Sequence, residues 1–418
     1  MHRKPVWGVL ATLSLVIVAA CGGPAATGTP PPTATPAPAT ATPVPATATP
    51  VPATATPAMP TEVGAGEGAL TVLAWPGYVE EGLTYPEYDW LTPFETATGC
   101  QTEVTTFGTS DSAFQQFTAN PDRFDVISAS GDASLRLVRA GYVQPVNTDL
   151  VPSYADIYSS LKDQPYNTVD GVHYGIPHGR GSNQMMWRTD EVTPAPTRWD
   201  QMFAADSGLD VSVYDAPIYI ADAAVILMDT NPELGITNPY ALDDTQFAAT
   251  IALLQQQRPT VKHYWTDYVD QMTKFRDGDV DVGTTWQVIA NLLQGEDPAV
   301  PVDLLKPEEG ATGWSDTWMI NSQTEHINCS YKFVEYIVSA PVNIQIAEYF
   351  GEAPGNSKAC DLETIAGHCD VFHAADDDPF WDDVWYWQTP EAACVDGRAN
   401  VQCKDFDDWS EAWTTLKG

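Results

Sequence analysis

Short apolar runs alternate with amphipathic stretches along the chain from about residue 68 onward. The runs "ALTVLAW" (residues 69–75), "FDVISAS" (124–130) and "VDVGTTW" (280–286) are rich in β-branched and aromatic residues, so each predicts a buried strand. Apolar residues recur with helical spacing in "DASLRLVRAG", "DYVDQMTKFRDG" and "QVIANLLQG", which flank these runs. This alternation of strands and helices predicts an α/β fold with largely parallel sheets.

The predicted strands end in residues suited to holding a small molecule. The three runs stop at Trp75, Ser130 and Trp286. In open α/β sheets, ligands bind beyond the carboxyl ends of the strands. We therefore expect these three side chains to lie near one another in a ligand cleft.

The stretch "GWSDTW" (residues 313–318) places a carboxylate between two indoles. Trp314, Asp316 and Trp318 occupy alternate positions, so on a strand they would share one face. A core excludes an unpaired carboxylate, and a solvated face gives the indoles nothing to pack on. A cleft that holds an organic cation uses both kinds of side chain, because indoles and carboxylates each attract a cation.

The charge balance excludes several classes of partner. The chain has 19 Lys and Arg against 56 Asp and Glu, a formal net charge of -37. Because phosphate backbones need a basic surface, we expect no binding to nucleic acid, and flat docking on anionic lipid is also disfavoured. The 7 His form no HExxH motif or ligand cluster, so we expect no metal and no cofactor. The charge suits a solvated extracellular protein or one that attracts cations.

The N-terminal part of the chain is predicted to direct export and to anchor the protein. Residues 1–21 combine a basic start with a short apolar run that ends in "VAAC", which resembles the lipobox of bacterial lipoproteins. Cys21 is therefore expected to carry a lipid anchor and to hold the protein on the outer face of the cytoplasmic membrane. Residues 22–67 repeat Ala, Thr, Pro and Val, a composition that predicts a disordered linker.

The cysteines that follow Cys21 indicate disulfides, because an even number in an exported chain usually pairs. Fifteen pairings are possible for six cysteines. The pairs favoured by short separation, followed by the pair left over, are Cys360–Cys369, Cys394–Cys403 and Cys100–Cys329. A metal site is the alternative, but no CxxC or Cys/His spacing supports it.

Several motifs together resemble the spermidine/putrescine-binding subunits of bacterial ABC importers, within the periplasmic binding-protein superfamily. They are "VLAWPGYV", "FDVISAS", "GVHYGIPHGRG", "FRDGDVDVGTTW", "GWSDTWMIN" and "WYWQTPE". The resemblance implies a two-lobe, type II-like periplasmic-binding-protein fold with the ligand cleft between the lobes. It implies a monomeric binding protein, not an enzyme, that delivers a polyamine-like cation to an ABC permease in the membrane. Residues 68–175 with 315–358 are expected to form lobe 1, and residues 176–314 with 359–418 lobe 2.

The resemblance also implies a set of ligand contacts. Trp286 and Trp314 match aromatic walls, and Asp316 matches a carboxylate that would neutralise an ammonium while Trp314 covers the neighbouring methylenes. Asp215 matches another carboxylate that pairs with an amine, and Trp318 is expected in the core. The full expected ligand-binding set is Trp75, Tyr78, Ser130, Asp132, Asp215, Trp286, Trp314, Asp316 and Gln388.

The chain departs from the family pattern at positions that affect the ligand. Ile218 stands where the polyamine binders carry a further carboxylate, and Asp222 is a candidate to substitute for it. Asp132 replaces an aromatic residue two places after the serine. Arg180 stands where relatives often have Trp, and an arginine near the cleft would suit a ligand carboxylate. The ligand is therefore expected to be a shorter amine or a zwitterion in place of spermidine.

Other interpretations use the same residues. Paired carboxylates with tryptophans also occur in glycoside hydrolases, but the chain has no GxSxG, zincin or phosphate-loop motif. A carbohydrate-binding importer subunit would stack its ligand on Trp, and a surface adhesin would also use a stalk. Ion pairing weakens with ionic strength, whereas stacking on a neutral sugar hardly changes, so salt dependence separates an amine from a sugar.

Overall fold

The computed structural model describes residues 59–83 and 85–418 of the chain. The predicted export signal, Cys21 and most of the predicted linker lie outside the described residues. Within the described part, no helix is both long enough and apolar enough to cross a membrane.

Strands and helices alternate through most of the described chain. The strands are β1 (Ala69–Ala74), β2 (Gln101–Thr106), β3 (Val126–Ala129), β4 (Thr168–Val169), β5 (Val172–His173), β6 (Gly175–Pro177), β7 (Gly179–Ser182), β8 (Gln184–Arg188), β9 (Val211–Tyr214), β10 (Val261–Trp265), β11 (Val282–Thr285), β12 (Val302–Leu305), β13 (Ala311–Trp314), β14 (Thr317–Ile320), β15 (Ala353–Pro354) and β16 (Val384–Tyr386). The helices are α1 (Leu91–Thr98), α2 (Ser110–Ala119), α3 (Gly131–Arg139), α4 (Asp200–Phe203), α5 (Ile220–Thr230), α6 (Asp244–Gln257), α7 (Tyr268–Asp277), α8 (Gln287–Gln294), α9 (Ile327–Ile337), α10 (Ala340–Phe350), α11 (His368–Val371) and α12 (Phe406–Lys417).

The sheet of lobe 1 has five strands in the order β2-β1-β3-β14-β6. Strand β1 runs parallel to β2 and β3, whereas β14 runs antiparallel to β3 and β6. Strands β1 and β3 end at Ala74 and Ala129, so Trp75 and Ser130 follow their carboxyl ends, as predicted. Because the two strands are parallel neighbours, these two side chains meet at one edge of the sheet.

The sheet of lobe 2 also has five strands, in the order β10-β9-β11-β8-β12. Strand β9 runs parallel to β10 and β11, and β8 runs antiparallel to β11 and β12. Trp286 follows the end of β11, as predicted. In each sheet four of the five strands point the same way, as the prediction of largely parallel sheets requires, and only β14 and β8 are reversed. Each reversed strand directly follows a strand that connects the lobes, so no crossover helix sets its direction.

Two of the segments that connect the lobes pass through paired strands. Strand β6 of lobe 1 leads through β7 into β8 of lobe 2, and β12 leads back through β13 into β14. Strands β7 and β13 pair antiparallel in a small sheet of order β15-β7-β13-β16. Here a Cβ on Gly181 would lie 2.3 Å from the Trp314 ring, so this close approach requires glycine. The packing fixes the Trp314 indole against the connecting strands.

Most tryptophans in the described chain serve packing. Trp199, Trp265, Trp318 and Trp409 are among the largest fully buried side chains. Trp318 has no exposed surface, so the prediction that it belongs to the core is confirmed. A buried indole of this kind contributes several kcal/mol through the apolar area that it removes from water, about 25 cal/mol per Å².

Three disulfides cross-link the described part of the chain, in the pairing predicted from the sequence. They are Cys100–Cys329, Cys360–Cys369 and Cys394–Cys403. The first links positions 229 residues apart, and each of the others closes a separation of 9 residues. Because closing a longer loop removes more entropy from the unfolded chain, the first is expected to stabilise lobe 1 most, by roughly 5 kcal/mol against about 3 kcal/mol for a local loop.

The folded part begins earlier than the predicted boundary at residue 68. The Glu67 carboxylate accepts hydrogen bonds from the backbone N–H groups of Asn328 and Cys329, at the start of α9. The Asn147 side-chain amide donates to the carbonyl of Pro60. The end of the expected linker therefore packs on lobe 1, because the first turn of α9 has free N–H groups that a carboxylate satisfies.

Candidate functional site

A small pocket lined mainly by aromatic side chains lies where the strand ends of both lobes meet the connecting segments, and we call it the aromatic pocket. Its lining residues are Trp75, Tyr78, Ser130, Trp286, Trp314, Asp316, Phe350 and Trp387. Sequence reasoning predicted all of these except Phe350 and Trp387. Both missed residues come from the C-terminal part of the chain, and Trp387 lies in the quoted motif "WYWQTPE".

Ser130 links a wall of the aromatic pocket to its carboxylate. The Trp75 indole N–H donates to Ser130 Oγ at 3.2 Å, and the Trp75 backbone N–H donates to Ser128 Oγ at 3.1 Å. Ser130 in turn donates to Asp316 Oδ1 at 2.5 Å. Two adjacent parallel strands thus orient both a tryptophan and a hydroxyl toward the same acid.

Asp316 is a buried carboxylate with 2% of its surface exposed. Its Oδ2 accepts the hydroxyl proton of Tyr78 at 2.8 Å, and its Oδ1 accepts that of Ser130. Burial raises the pKa of Asp316 to about 6, against the lowering effect of these two hydrogen bonds. The acid is therefore ionised at neutral pH, and a cation in the pocket would lower its pKa further.

A second buried carboxylate, Glu352, lies behind Tyr78. The Tyr78 hydroxyl is 3.2 Å from Glu352 Oε2, and His178 Nε2 is 3.2 Å from Glu352 Oε1. The Trp318 indole N–H donates to His178 Nδ1 at 3.0 Å, so Nδ1 is the acceptor and the ring proton of the neutral imidazole is on Nε2, facing Glu352. Sequence reasoning missed Glu352 and His178, although His178 lies in the quoted motif "GVHYGIPHGRG".

Tyr78 lies between the two acids. A phenol has one proton and can donate it to one carboxylate at a time. Asp316 and Glu352 both face the Tyr78 oxygen, but each also faces a second group, Ser130 for Asp316 and His178 for Glu352. Only Asp316 lines the aromatic pocket, so it is the carboxylate available to one ammonium group.

Edge-to-face aromatic contacts build the walls of the aromatic pocket. The rings of Trp75 and Trp286 are 5.7 Å apart at 81°, and those of Trp314 and Phe350 are 5.9 Å apart at 86°. The Trp286 indole N–H donates to Asn183 Oδ1 at 3.1 Å. Rings held this way present fixed π faces, and such faces attract cations and cover methylene groups.

Asp215 was predicted to bind the ligand beside Asp316, and the structure places it elsewhere. Its carboxylate contacts Lys417 Nζ at 2.5 and 2.6 Å and accepts from the Trp413 indole at 3.1 Å. It lines a separate, open cavity of about 400 Å³, together with Arg136. The prediction was wrong because α12 brings an ammonium of the protein itself to this acid, a contact across 202 residues.

Asp222 does not replace the carboxylate missing at Ile218. Both side chains are buried, and Asp222 Oδ1 accepts a hydrogen bond from Thr312 Oγ1 at 3.0 Å. Burial raises the pKa of Asp222 to about 7, because α5 packs this acid inside lobe 2. Asp222 is thus an internal acid.

The remaining predicted residues, Asp132 and Gln388, border the aromatic pocket without lining it. Asp132 is 1% exposed at the start of α3, next to Ser130. Gln388 is 8% exposed and follows Trp387. Their ligand contacts stay predictions.

Arg180 is held by the protein. Its guanidinium donates to the carbonyls of Ala374 and Ala375 at 3.2 and 2.8 Å, and its Cζ lies 4.3 Å from the ring centre of Trp381. It is 1% exposed. These contacts fix the C-terminal segment to the connecting strand β7. Arg180 Nε has no hydrogen-bond partner among the described residues, and Arg180 lines a cavity together with Trp314, so its contact with a ligand carboxylate stays a prediction.

Within the described part of the chain, no group of three or more His, Cys, Asp or Glu side chains could hold a metal ion. The aromatic pocket itself offers one acid, one phenol, one serine and a set of rings. Together these side chains can bind a cation that carries an apolar alkyl chain.

Comparison with known proteins gives a consistent assignment. A family model described as "Bacterial extracellular solute-binding protein" matches residues 89–372. The putrescine/agmatine-binding protein of Pseudomonas aeruginosa is 22% identical over 307 residues, which cover 69% of this chain and 82% of that protein. The spermidine/putrescine-binding periplasmic protein of Escherichia coli is 20% identical over 287 residues, or 68% of this chain and 77% of that protein.

Solved structures share the two-lobe fold. A spermidine/putrescine ABC transporter substrate-binding protein from Streptococcus pneumoniae matches with a TM-score of 0.63 and 17% identity. The match covers 83% of this chain and 97% of that one. At this level of identity the likeness establishes the periplasmic-binding-protein fold.

Proposed function

The chain belongs to the family of bacterial extracellular solute-binding proteins, and from this premise we propose that it binds a short polyamine and delivers it to the permease of an ABC importer. The family consists of binding proteins and not enzymes. One ammonium of the ligand pairs with Asp316, and its methylene chain lies along the indoles of the aromatic pocket.

The observation that supports this proposal is the Asp316 carboxylate, buried among indoles and oriented by two hydroxyl groups. An ammonium 4 Å from a carboxylate gains about 4 kcal/mol at an effective dielectric constant of about 20. A cation over an indole adds about 0.5–2 kcal/mol. Each buried methylene adds about 0.8 kcal/mol. Because the hydroxyl donors already hold the carboxylate in place, little of this gain is lost to ordering the site.

The length of the ligand follows from the carboxylates that remain available. The relatives named above bind putrescine, agmatine or spermidine according to their names. In this chain Asp215 is neutralised by Lys417, and the neighbouring carboxylate position is Ile218. A long polyamine would leave its distal ammonium without these partners. We therefore favour a ligand of the size of putrescine or agmatine over spermidine.

We further propose the arrangement of the whole chain on the membrane. Residues 68–175 with 315–358 and residues 176–314 with 359–418 form the two lobes, and the protein is attached through a lipid on Cys21. The motivation for the anchor is the "VAAC" sequence after the short apolar run. Mass spectrometry of membrane-extracted protein should find acyl chains on Cys21, and an unmodified Cys21 would rule the anchor out.

A ligand panel tests the proposed function. Melting temperatures are measured with putrescine, agmatine, spermidine, a neutral amino acid and a neutral sugar, each at low and high salt. We expect putrescine or agmatine to give the largest stabilisation, since a ligand that binds only the folded state raises stability by RT ln(1 + [L]/Kd). The shift should shrink at high salt because ion pairing is screened. A salt-independent shift with the sugar alone would contradict the proposal.

A further inference from the structure

One wall of the aromatic pocket is held by a residue that lies outside the pocket. Trp286 of lobe 2 is buried, and its ring centre lies 5.7 Å from that of Trp75 in lobe 1. An indole has a single polar atom, an N–H that can only donate. The Trp286 N–H donates to Asn183 Oδ1 at 3.1 Å. Asn183 is buried and does not line the aromatic pocket, so any effect of Asn183 on a ligand passes through Trp286.

Asn183 lies where two of the connecting segments come together. It stands between β7 and β8, whereas Thr312 belongs to β13. The Asn183 backbone N–H donates to the Thr312 carbonyl at 2.9 Å, and Asn183 Nδ2 donates to Thr312 Oγ1 at 2.7 Å. One asparagine thus joins both connecting segments and also holds a ring of lobe 2.

The hydrogen bonds around Asn183 run in one direction, which the indole sets. Because the Trp286 N–H needs an acceptor, the amide oxygen of Asn183 faces Trp286 and its NH2 group faces Thr312. Thr312 Oγ1 accepts from the amide and donates its own proton to Asp222 Oδ1 at 3.0 Å. The chain from Trp286 to Asp222 is buried throughout, and the members of such a chain strengthen one another.

The other tryptophans of the aromatic pocket are held differently. The Trp75 indole donates to Ser130, which lines the pocket itself. The indole N–H groups of Trp314 and Trp387 have no hydrogen-bond partner among the described residues. In the part of the chain that the structure describes, Trp286 is thus the pocket tryptophan whose N–H is anchored behind the wall.

We propose that Asn183 is a positioning residue for ligand binding, which fixes the Trp286 indole as a wall of the aromatic pocket and ties that wall to the connecting segments. A ring that is already held in place loses little freedom when a ligand packs on it, whereas a free ring must be ordered at the moment of binding. Because the anchor belongs to the segments that join the lobes, it also sets where the ring meets Trp75 of lobe 1. This inference rests on the proposed function, since it requires the aromatic pocket to hold the ligand.

Matched variants separate the anchor from general stability. Asn183→Leu removes both the acceptor for Trp286 and the donor to Thr312, Thr312→Val removes only the hydroxyl, and Thr312→Ser keeps it. Calorimetry with putrescine, well below the melting temperature of each variant, measures affinity. We expect Asn183→Leu to bind about three- to tenfold more weakly than the wild type, as the ordering of one side chain allows. Thr312→Val should lose less than Asn183→Leu, and Thr312→Ser should stay within about twofold of the wild type.

The indole proton of Trp286 gives a second readout that needs no ligand. In nuclear magnetic resonance spectra of isotope-labelled protein, the signal that disappears in Trp286→Phe identifies this proton. Asn183→Leu should move the signal upfield, because the N–H loses its acceptor. Thr312→Val should move it in the same direction by a smaller amount, and Thr312→Ser should leave it in place. A variant that only lowers stability would change neither this signal nor the affinity measured far below its melting temperature.

The outcomes separate this inference from the proposed function. If Asn183→Leu keeps the wild-type affinity for putrescine, or if its affinity falls while the Trp286 signal stays in place, Asn183 is not a positioning residue for the ligand. If the wild type does not bind putrescine, or if Asp316→Asn binds it equally well, the proposed function fails, and the Trp286 signal still tests the anchor. Thermal melts check folding. Should Asn183→Leu be unstable, equal affinities of Thr312→Val and Thr312→Ser would overturn the inference.

Discussion

At the scale of single residues, the site depends on one acid whose charge is set by its neighbours. Asp316 is buried, accepts two hydroxyl protons and shares the Tyr78 hydroxyl with Glu352. Burial and the Glu352 charge raise the pKa of Asp316, while Ser130 and Tyr78 lower it. The two carboxylates thus have different roles, since only Asp316 lines the aromatic pocket.

This difference predicts that Glu352→Gln binds putrescine at least as well as the wild type. Glutamine can accept from His178 and donate to Tyr78, and its neutrality removes a like charge from Asp316. Because a cation needs ionised Asp316, wild-type affinity should rise with pH through about 6. Glu352→Gln should move this midpoint down, and Tyr78→Phe, which removes a donor to Asp316, should move it up. Calorimetry across this range measures both midpoints, and a strong loss of binding in Glu352→Gln would refute the different roles of the two carboxylates.

At the scale of elements, strand ends and connecting strands position the site. Strands β1, β3 and β11 place Trp75, Ser130 and Trp286, and these positions could be predicted because an apolar run and its end are local features of the sequence. The acid in "GWSDTW" could be predicted from alternation along a strand. Contacts between residues far apart in the sequence could not be predicted. Trp387 and the Lys417 partner of Asp215 both come from elements far along the chain, whose packing no local pattern encodes.

Inside lobe 2, helix α5 provides a prediction about stability. Burial raises the pKa of Asp222 to about 7 from 3.8, so the folded state takes up a proton between these two pH values. Stability from this group is fully present below about pH 4 and declines as pH rises toward 7. Asp222→Asn keeps an acceptor for Thr312 and avoids burying a charge. It should therefore be more stable than the wild type at about pH 8, by an order of 2–4 kcal/mol at most.

Urea unfolding of both proteins at mildly acidic and mildly alkaline pH measures this effect. The stability difference between Asp222→Asn and the wild type should grow with pH. A difference that is constant across the range, or that favours the wild type at high pH, would contradict a buried neutral acid at position 222.

At the scale of the whole molecule, the chain is an extracellular solute-binding protein, a class that the resemblance in sequence predicted and the family match established. The large negative charge agrees with the cation that we propose as its ligand. The formal net charge of -37 attracts cations at long range, and Asp316 supplies the local partner. Sequence patterns predicted the position of one acid correctly and placed Asp215 beside it wrongly. The difference arises because its true partner, Lys417, belongs to the last helix.

The most direct test of this account is calorimetry of putrescine with the wild type and Asp316→Asn at two salt concentrations, with Asp222→Asn as a buried-acid control. Asp316→Asn keeps the shape of the side chain and removes its charge. We expect it to weaken binding by about 2–5 kcal/mol, because a partly desolvated ammonium loses its counter-ion. The control should bind like the wild type, whose affinity should fall with salt. Unchanged putrescine affinity in Asp316→Asn would contradict the account and favour a neutral ligand.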